Sequence, residues 1–229
     1  MFCFLIKMTE FTENKGYDIN ANMPEIDDPF IYIEENVLSE ELCKEIIERF
    51  ENDPDKVDGM TGKGVDRNTK DTTEIYINSV DWIDIEKILI ANIKIVLKKY
   101  IQSIDKNSDY IYDMYILNNL FNEIRHWGFQ IQKYERNKGH YRWHNDYKYQ
   151  EILDGTTGVR TIRVCTFIFY LNNVNEGGET EFMNGKIIPA PGKMAFFPCS
   201  WTYPHRGCMP ISNDKYIITG WLGKNIAAN

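Results

Sequence analysis

From residue 127 onward, runs of strand-forming residues alternate with turn signals, and this pattern constrains the fold more than any other feature of the chain. The runs are GFQIQKY, IRVCTFIFYLN, GKMAFFPC and KYIITGWL. Asn184-Gly185 sits between ETEF and KII as a tight-hairpin signal, and PAPG at 189–192 marks another turn. Gly177 and Gly178 suit a turn that needs positive φ. Upstream the period changes. FIYI at 30–33 reads as a short strand, and Ser39 as the N-cap of a helix over 40–51 with Leu42, Cys43, Ile46, Ile47 and Phe50 on one face. A second helix is predicted over roughly 82–102, where Ile85, Leu89, Ile93, Val96, Leu97 and Tyr100 keep helical spacing. Residues 52–74, rich in Asp, Gly, Lys and Thr, are predicted to form a long surface loop. Residues 109–123 are ambiguous, a third helix being one reading. Helices followed by a β-rich unit give an α+β chain with a mainly β C-terminal half, an antiparallel barrel or jelly roll buttressed by N-terminal helices. The expected division is a flexible lead-in over 1–28 and one domain over 29–229, with helical support at 29–125 and the β core at 126–225.

A chain of 229 residues holds one generous domain or two cramped ones. Its net charge of −8 weighs against non-specific nucleic-acid binding and docking on anionic membranes, since both need a positive surface. No apolar run approaches the ~20 residues of a membrane helix. The opening MFCFLIK has no basic residues ahead of it and no small-residue cleavage site; it reads as an ordinary N-terminus, and a cytoplasmic location is expected. Five cysteines, an odd number without a CxxC pair, fit neither a disulfide scaffold nor a zinc ribbon.

The chemistry-bearing residues lie in the β-rich half. Of four histidines, His144 forms an HxD pair with Asp146 at a predicted strand end, where residues two apart share a face. Alone, such a pair is weak; a buried histidine satisfied by a carboxylate gives the same pattern. His205, in YPHRG after another strand, adds a third ligand. Two imidazoles and one carboxylate bind one face of an octahedral metal and leave three positions for other ligands, the arrangement of non-haem Fe(II) oxygenases. Lys215 follows ten residues later and shares a strand face with Ile217, Thr219 and Trp221. A cation and a hydroxyl in an apolar stripe suit an anionic ligand tail, although a solvated strand-start lysine is the alternative. By the same period Arg163 faces with Cys165, Phe167 and Phe169, opposite to Tyr170, and either touches substrate or pairs with an acid. Cys199 and Cys208 flank the distal histidine, but thiolates do not suit a hard Fe(II) site, so both are assigned to packing. Trp127, Trp143 and Trp201 are assigned to scaffold packing rather than to a substrate groove.

Several stretches together carry a family resemblance: QKYERNKGHYRWHND, RVCTFIFYLNNVNEGGETEF, PAPGKMAFFP and HRGCMPISNDKYIITGW. In order and spacing they resemble the prolyl 4-hydroxylase-like branch of the Fe(II)/2-oxoglutarate-dependent dioxygenases, and FIYIEENVLSEELCKEIIERF is similar to that family's lead-in. The resemblance implies a double-stranded β-helix with Fe(II) held by His144, Asp146 and His205. It implies that Lys215 pairs with the distal carboxylate of 2-oxoglutarate, that Tyr134 hydrogen-bonds this co-substrate, and that Tyr170 and Thr219 lie near its far end. Tyr141 matches a tyrosine near the substrate mouth; Trp221 and Arg163 join it as candidates for substrate contact. The implied reaction consumes 2-oxoglutarate and O2, with ascorbate as an accessory reductant, hydroxylates an unactivated C–H bond and releases succinate and CO2.

A protein or peptide side chain, prolyl foremost, is the leading substrate. A free amino acid or small metabolite is the alternative, and a binding module with a vestigial metal site is a third reading. A nucleic-acid demethylase would anchor the co-substrate with arginine, and a halogenase would lack the carboxylate ligand; neither pattern is present. One departure stands out: the family's YGPG turn is YERN here, with the glycine delayed to Gly139, which bears on peptidyl-proline specificity and not on the iron chemistry.

Overall fold

A computed structural model of the chain describes residues 23–107, 121–122, 124–153 and 158–226. The N-terminal elements follow the predicted periods. Strand β1 (Tyr32–Glu34) leads into helix α1 (Glu40–Asn52), whose cap is Ser39: its Oγ accepts the Leu42 N–H at 3.2 Å. Cys43, Ile46 and Phe50 form the buried face of α1. A 3-10 turn (Val80–Trp82) opens helix α2 (Ile83–Asn107), which buries Ile85, Leu89, Ile93, Val96 and Tyr100 and runs past the predicted end at 102. Most of the ambiguous 109–123 segment, and residues 1–22 of the lead-in, lie outside the described residues. The end of the lead-in docks on the β core, where the Ile26 N–H donates to Lys186 O at 2.9 Å.

The 52–74 segment is not the open loop that its composition suggests. It folds into β2 (Val57–Asp58), β3 (Met60–Thr61), β4 (Gly64–Val65) and β5 (Lys70–Asp71), and β6 (Thr73–Tyr76) follows directly. Strands of two residues are too short to show a period, so only their pairing partners reveal them. The second half contributes β7 (Arg125–Tyr134), β8 (His140–His144), β9 (Tyr149–Leu153), β10 (Gly158–Tyr170), β11 (Thr180–Phe182), β12 (Gly185–Ile187), β13 (Met194–Pro198), β14 (His205–Gly207) and β15 (Lys215–Ile226).

These strands make a large sheet in the order β1-β13-β10-β15-β7-β6-β2, with β9 also on β10, and a small sheet in the order β12-β11-β14-β8-β5. Strands β3 and β4 pair only with each other. One face of the large sheet packs on α1 and α2 through Phe129, Ile131, Phe167, Phe169, Ile218 and Leu222. The other face meets the small sheet around a second cluster that includes Ile168, Phe182, Ile187, Phe197 and Ile217. The result is a mainly β jelly roll with the helices on its outer face, as the sequence predicts. Among the described residues no helix is long and apolar enough to cross a membrane.

Two turns refine the sequence reading. The β11–β12 hairpin forms where expected, but its register pairs Phe182 with Gly185, so Met183 and Asn184 make the turn. Gly185 serves a close approach instead: a Cβ there would lie 2.7 Å from Ile26 Cα. Gly177 and Gly178 take φ of 72° and 74°, as the turn requires.

Candidate active site

The two sheets enclose a cavity of about 500 Å³, and the cross-strand registers decide what faces it. On the small sheet His144 of β8 stands directly opposite His205 of β14. Asp146 follows β8 by two residues, and the three ligand atoms lie within 4.8 Å of one another. His144 Nε2 is 3.9 Å from Asp146 Oδ1, and His205 Nε2 is 3.6 Å from Oδ2. Each ring is oriented by its other nitrogen: Nδ1–H of His144 donates to Arg142 O at 2.8 Å, and that of His205 to Tyr203 O at 3.1 Å. A carbonyl only accepts, so the proton belongs on Nδ1 and each Nε2 lone pair points inward.

Electrostatics favours the same states. Burial, with the neighbouring His205, pushes the His144 pKa well down and keeps the ring neutral. Burial alone would raise Asp146, but the two histidines and the Thr166 hydroxyl, which donates to Oδ2 at 2.7 Å, together hold it below the usual carboxylate range. The Trp221 indole N–H, at the edge of hydrogen-bonding reach, also lowers Asp146. Two neutral imidazoles and one carboxylate, converging and supported from behind, suit a divalent cation such as Fe(II).

Across the cavity Lys215 opens β15 and is 1% exposed. It has no anionic partner among the described residues; Nζ lies 4.7 Å from the centroid of the Tyr134 ring. Burial pulls its pKa down to about 8. A buried cation without a counter-ion, at the wall of a cavity, is a poor way to build a core and a good way to hold an anion. Lys215, Ile217, Thr219 and Trp221 all line the cavity, the shared face that period 2 predicts. Thr219 donates its hydroxyl proton to Phe167 O at 3.0 Å, which leaves its oxygen only as an acceptor.

The remaining predicted residues divide. Tyr134 lines the cavity; burial raises its pKa far above 10, so the phenol keeps its proton, and it donates to Gln132 Oε1 at 3.2 Å. Tyr141 also lines it and stacks on His144, ring centroids 3.6 Å apart. Tyr170 is fully buried behind the wall, its hydroxyl donating to Thr180, which does face the cavity. Arg163 faces the cavity together with Thr166 and Ile168, not the side of Cys165, Phe167 and Phe169. The register on β15 slips between Arg163 and Cys165, and that bulge reverses the alternation. The tryptophans also depart from expectation: Trp143 and Trp201 are 40% and 75% exposed, and Trp127 lies against Arg163 instead of filling a core. Cys199 and Cys208 are buried, as assigned.

Sequence reasoning missed two features. Gln130 and Gln132 extend the Tyr134 face along β7, Gln132 donating to Gln130 at 3.1 Å. Polar residues alternating with Phe129 and Ile131 in GFQIQKY were the signal. Lys70 and Glu74 form a buried ion pair at 2.5 Å beside the site, with Lys70 Nζ 5.0 Å from the Tyr141 ring centroid. Both residues belong to the segment read as a loop, and nothing in KDTTE announces them.

Residues 129–223 match the family model of the 2OG-Fe(II) oxygenase superfamily, a span that includes all three candidate ligands and Lys215. No curated protein matches by sequence. Similar solved structures include a viral collagen prolyl hydroxylase from Paramecium bursaria Chlorella virus-1 in complex with 2OG, at 18% identity and TM-score 0.57, covering 85% of this chain and 96% of that one. A prolyl-4-hydroxylase from Pseudomonas putida aligns at 14% identity and TM-score 0.58, covering 85% and 93%. A prolyl hydroxylase from Trichoplax adhaerens, bound to a peptide fragment of the hypoxia inducible factor oxygen degradation domain, aligns at 17% identity and TM-score 0.56, covering 85% and 83%. At these identities the structures speak for the fold. Over residues 129–223 the chain is thus similar to the 2OG-Fe(II) oxygenase superfamily. It is a dioxygenase that uses Fe(II), 2-oxoglutarate and O2.

Proposed function

We propose that the protein hydroxylates an unactivated C–H bond of a protein or peptide side chain, with proline the leading target. The observation that carries the reading is Lys215: a buried cation with no anionic partner among the described residues, across one cavity from a converging His-Asp-His cluster. His144, Asp146 and His205 would hold Fe(II), which with 2-oxoglutarate and O2 supplies the oxidising chemistry when bound. Lys215 would pair with the distal carboxylate of the co-substrate, a charge-assisted contact made strong by desolvation. Tyr134, kept protonated by burial, would turn its O–H from Gln132 to donate to it, and Thr219 offers an acceptor oxygen. Tyr170 acts at one remove, by fixing Thr180 in the wall. Tyr141, held flat on His144, borders the space for the substrate. The peptide assignment is supported by the Trichoplax relative, described as bound to a peptide fragment, and by the prolyl hydroxylases among the similar structures.

The direct test is succinate formation from 2-oxoglutarate with Fe(II), O2 and ascorbate, followed by mass spectrometry of candidate peptides for the gain of one oxygen atom. Succinate output should vanish in a His144→Ala, Asp146→Ala double variant. Output equal to wild type in that variant would sink the assignment of the iron site.

A further inference from the structure

The cavity's charge is one-sided. Its lining carries four basic side chains, Lys70, Lys148, Arg163 and Lys215, against a single acid, Asp146. The chain as a whole has a net charge of −8, so this is a local concentration and not a reflection of composition. Lys70 is neutralised by Glu74. Lys215 faces the co-substrate. Asp146 is committed to the two histidines and Thr166. Arg163 and Lys148 remain, with no ion-pair partner among the described residues.

They are built to act together. The Arg163 N–H donates to Lys148 O at 3.0 Å, which sets the two side chains next to each other at the cavity wall. The bulge in β10 turns Arg163 inward. Its guanidinium carbon lies 3.4 Å from the centroid of the Trp221 ring and 5.1 Å from that of Trp127. A guanidinium held against two indoles has already lost most of its rotamer freedom, which lowers the ordering cost of gripping a planar anion. Arg163 Nε and Trp221 Nε1 are both buried with no acceptor. Native structures rarely leave such donors unmatched without a functional reason. A side cavity of about 350 Å³, lined in part by Trp127, shares Gln130, Lys148, Arg163 and Trp221 with the main cavity. A neutral carbonyl could accept from the two N–H groups, but it would leave the Arg163 cation uncompensated in a partly desolvated wall, with the exposed Lys148 adding positive charge at its edge. A carboxylate satisfies both conditions.

We propose that Arg163, clamped by Trp127 and Trp221 and flanked by Lys148, forms a carboxylate subsite that selects a primary substrate bearing an acid group near the carbon to be hydroxylated. This rests on the reading of the cavity as a 2-oxoglutarate oxygenase site. The carboxylate has two possible sources, an Asp or Glu side chain of a peptide or the α-carboxylate of a free amino acid, and the experiment separates them.

Protein loaded with Mn(II) and saturating 2-oxoglutarate under anaerobic conditions, so that Lys215 is occupied and no turnover occurs, is titrated while tryptophan fluorescence is followed. One pair of ligands is a proline peptide with Glu beside the proline and the same peptide with Gln. The other pair is L-proline and L-prolinamide. The acid member should bind about tenfold or more tightly in one pair, and that pair names the source. Arg163→Gln should abolish the preference, and Arg163→Lys, which keeps the charge and loses the stacked fork, should restore part of it. Thermal melts of both variants confirm the fold. Equal binding within both pairs overturns the proposal, as does a preference that survives in folded Arg163→Gln. Succinate formation is measured separately. If it depends on the His-Asp-His cluster while acid preference is absent, the subsite fails and the oxygenase assignment stands; if acid preference is present without succinate, the reverse holds.

Discussion

Strands β7, β10 and β15 have two faces that share one backbone and do opposite work. Toward the helices they present Phe129, Ile131, Phe167, Phe169, Ile218 and Leu222, all buried in the larger apolar cluster. Toward the cavity they present Gln130, Gln132, Tyr134, Thr166, Lys215, Thr219 and Trp221. The first face stabilises the fold by removing apolar surface from water. The second contains a desolvated cation and two orphaned N–H donors, looks across the cavity at the metal cluster of the small sheet, and opposes stability until a ligand compensates it. Stability and function are thus separated by the alternation of a β-strand and not by distance along the chain. Substitutions should divide the same way.

The largest effect is expected on the cavity face. His144→Ala removes one of three ligands, and succinate formation should fall by at least about 10³-fold while the melting temperature of the unliganded protein stays close to wild type. Next comes Phe167→Ala, on the helix-facing side of the large sheet and fully buried between Phe129 and Phe196. It should lose about 3–5 kcal/mol in denaturant unfolding, with 2-oxoglutarate affinity of the folded fraction unchanged. A His144→Ala protein that is strongly destabilised, or a Phe167→Ala protein that binds the co-substrate many-fold more weakly, would break the division between faces.

Lys215 sharpens it, because one side chain should move the two properties in opposite directions. Its pKa is about 8 in the fold against an ordinary 10.5. The unfolded chain therefore binds more protons between those values, and stability rises with pH across that window. Below pH 8 the buried charge costs roughly 3 kcal/mol. Lys215→Met, without co-substrate at pH 7, should be the more stable protein by up to that amount, and its advantage should shrink as pH rises toward 10.5. The same variant should bind 2-oxoglutarate at least about 10²-fold more weakly. In the wild type, co-substrate affinity should decline above pH 8 as the unliganded lysine loses its proton. A Lys215→Met protein less stable than wild type at pH 7 would show that Lys215 serves the core.

How much of this was legible follows from the same alternation. The stripe Lys215-Ile217-Thr219-Trp221 was readable because β15 pairs with β10 without a slip from Ile217 to Leu222. Arg163 was misplaced because a bulge inserts one residue, and no count by twos can see it. Short strands such as β2 and β5 carry no period, so the folding of the 52–74 segment onto both sheets stayed hidden. The Lys70–Glu74 pair, made inside that segment, stayed hidden with it. Gln130 and Gln132 were legible as polar positions in a core strand and were passed over. The metal cluster was legible as three residue types at plausible strand ends. What the sequence could not supply is the register that sets His144 opposite His205.

The smallest effect is also the closest comparison, since it uses adjacent residues. Thr166 and Cys165 are neighbours on β10, one facing the cavity and the other the helices. Thr166 donates to Asp146 Oδ2 at 2.7 Å and so fixes the rotation of a carboxylate that must present its oxygens to a metal. Thr166→Val keeps the shape, deletes the hydroxyl and leaves Asp146 free to turn. Metal affinity should drop by about 10-fold, the low end of what an orienting partner contributes. The unfolding free energy should change by no more than about 1 kcal/mol. Cys165→Ala should do the reverse, losing about 1 kcal/mol through a small cavity against the helix-facing cluster with metal affinity intact. Isothermal titration with Mn(II) and denaturant melts on the two variants read both quantities. If the two substitutions give the same signature, function and stability are not divided by strand face, and the effects of the larger substitutions need another cause.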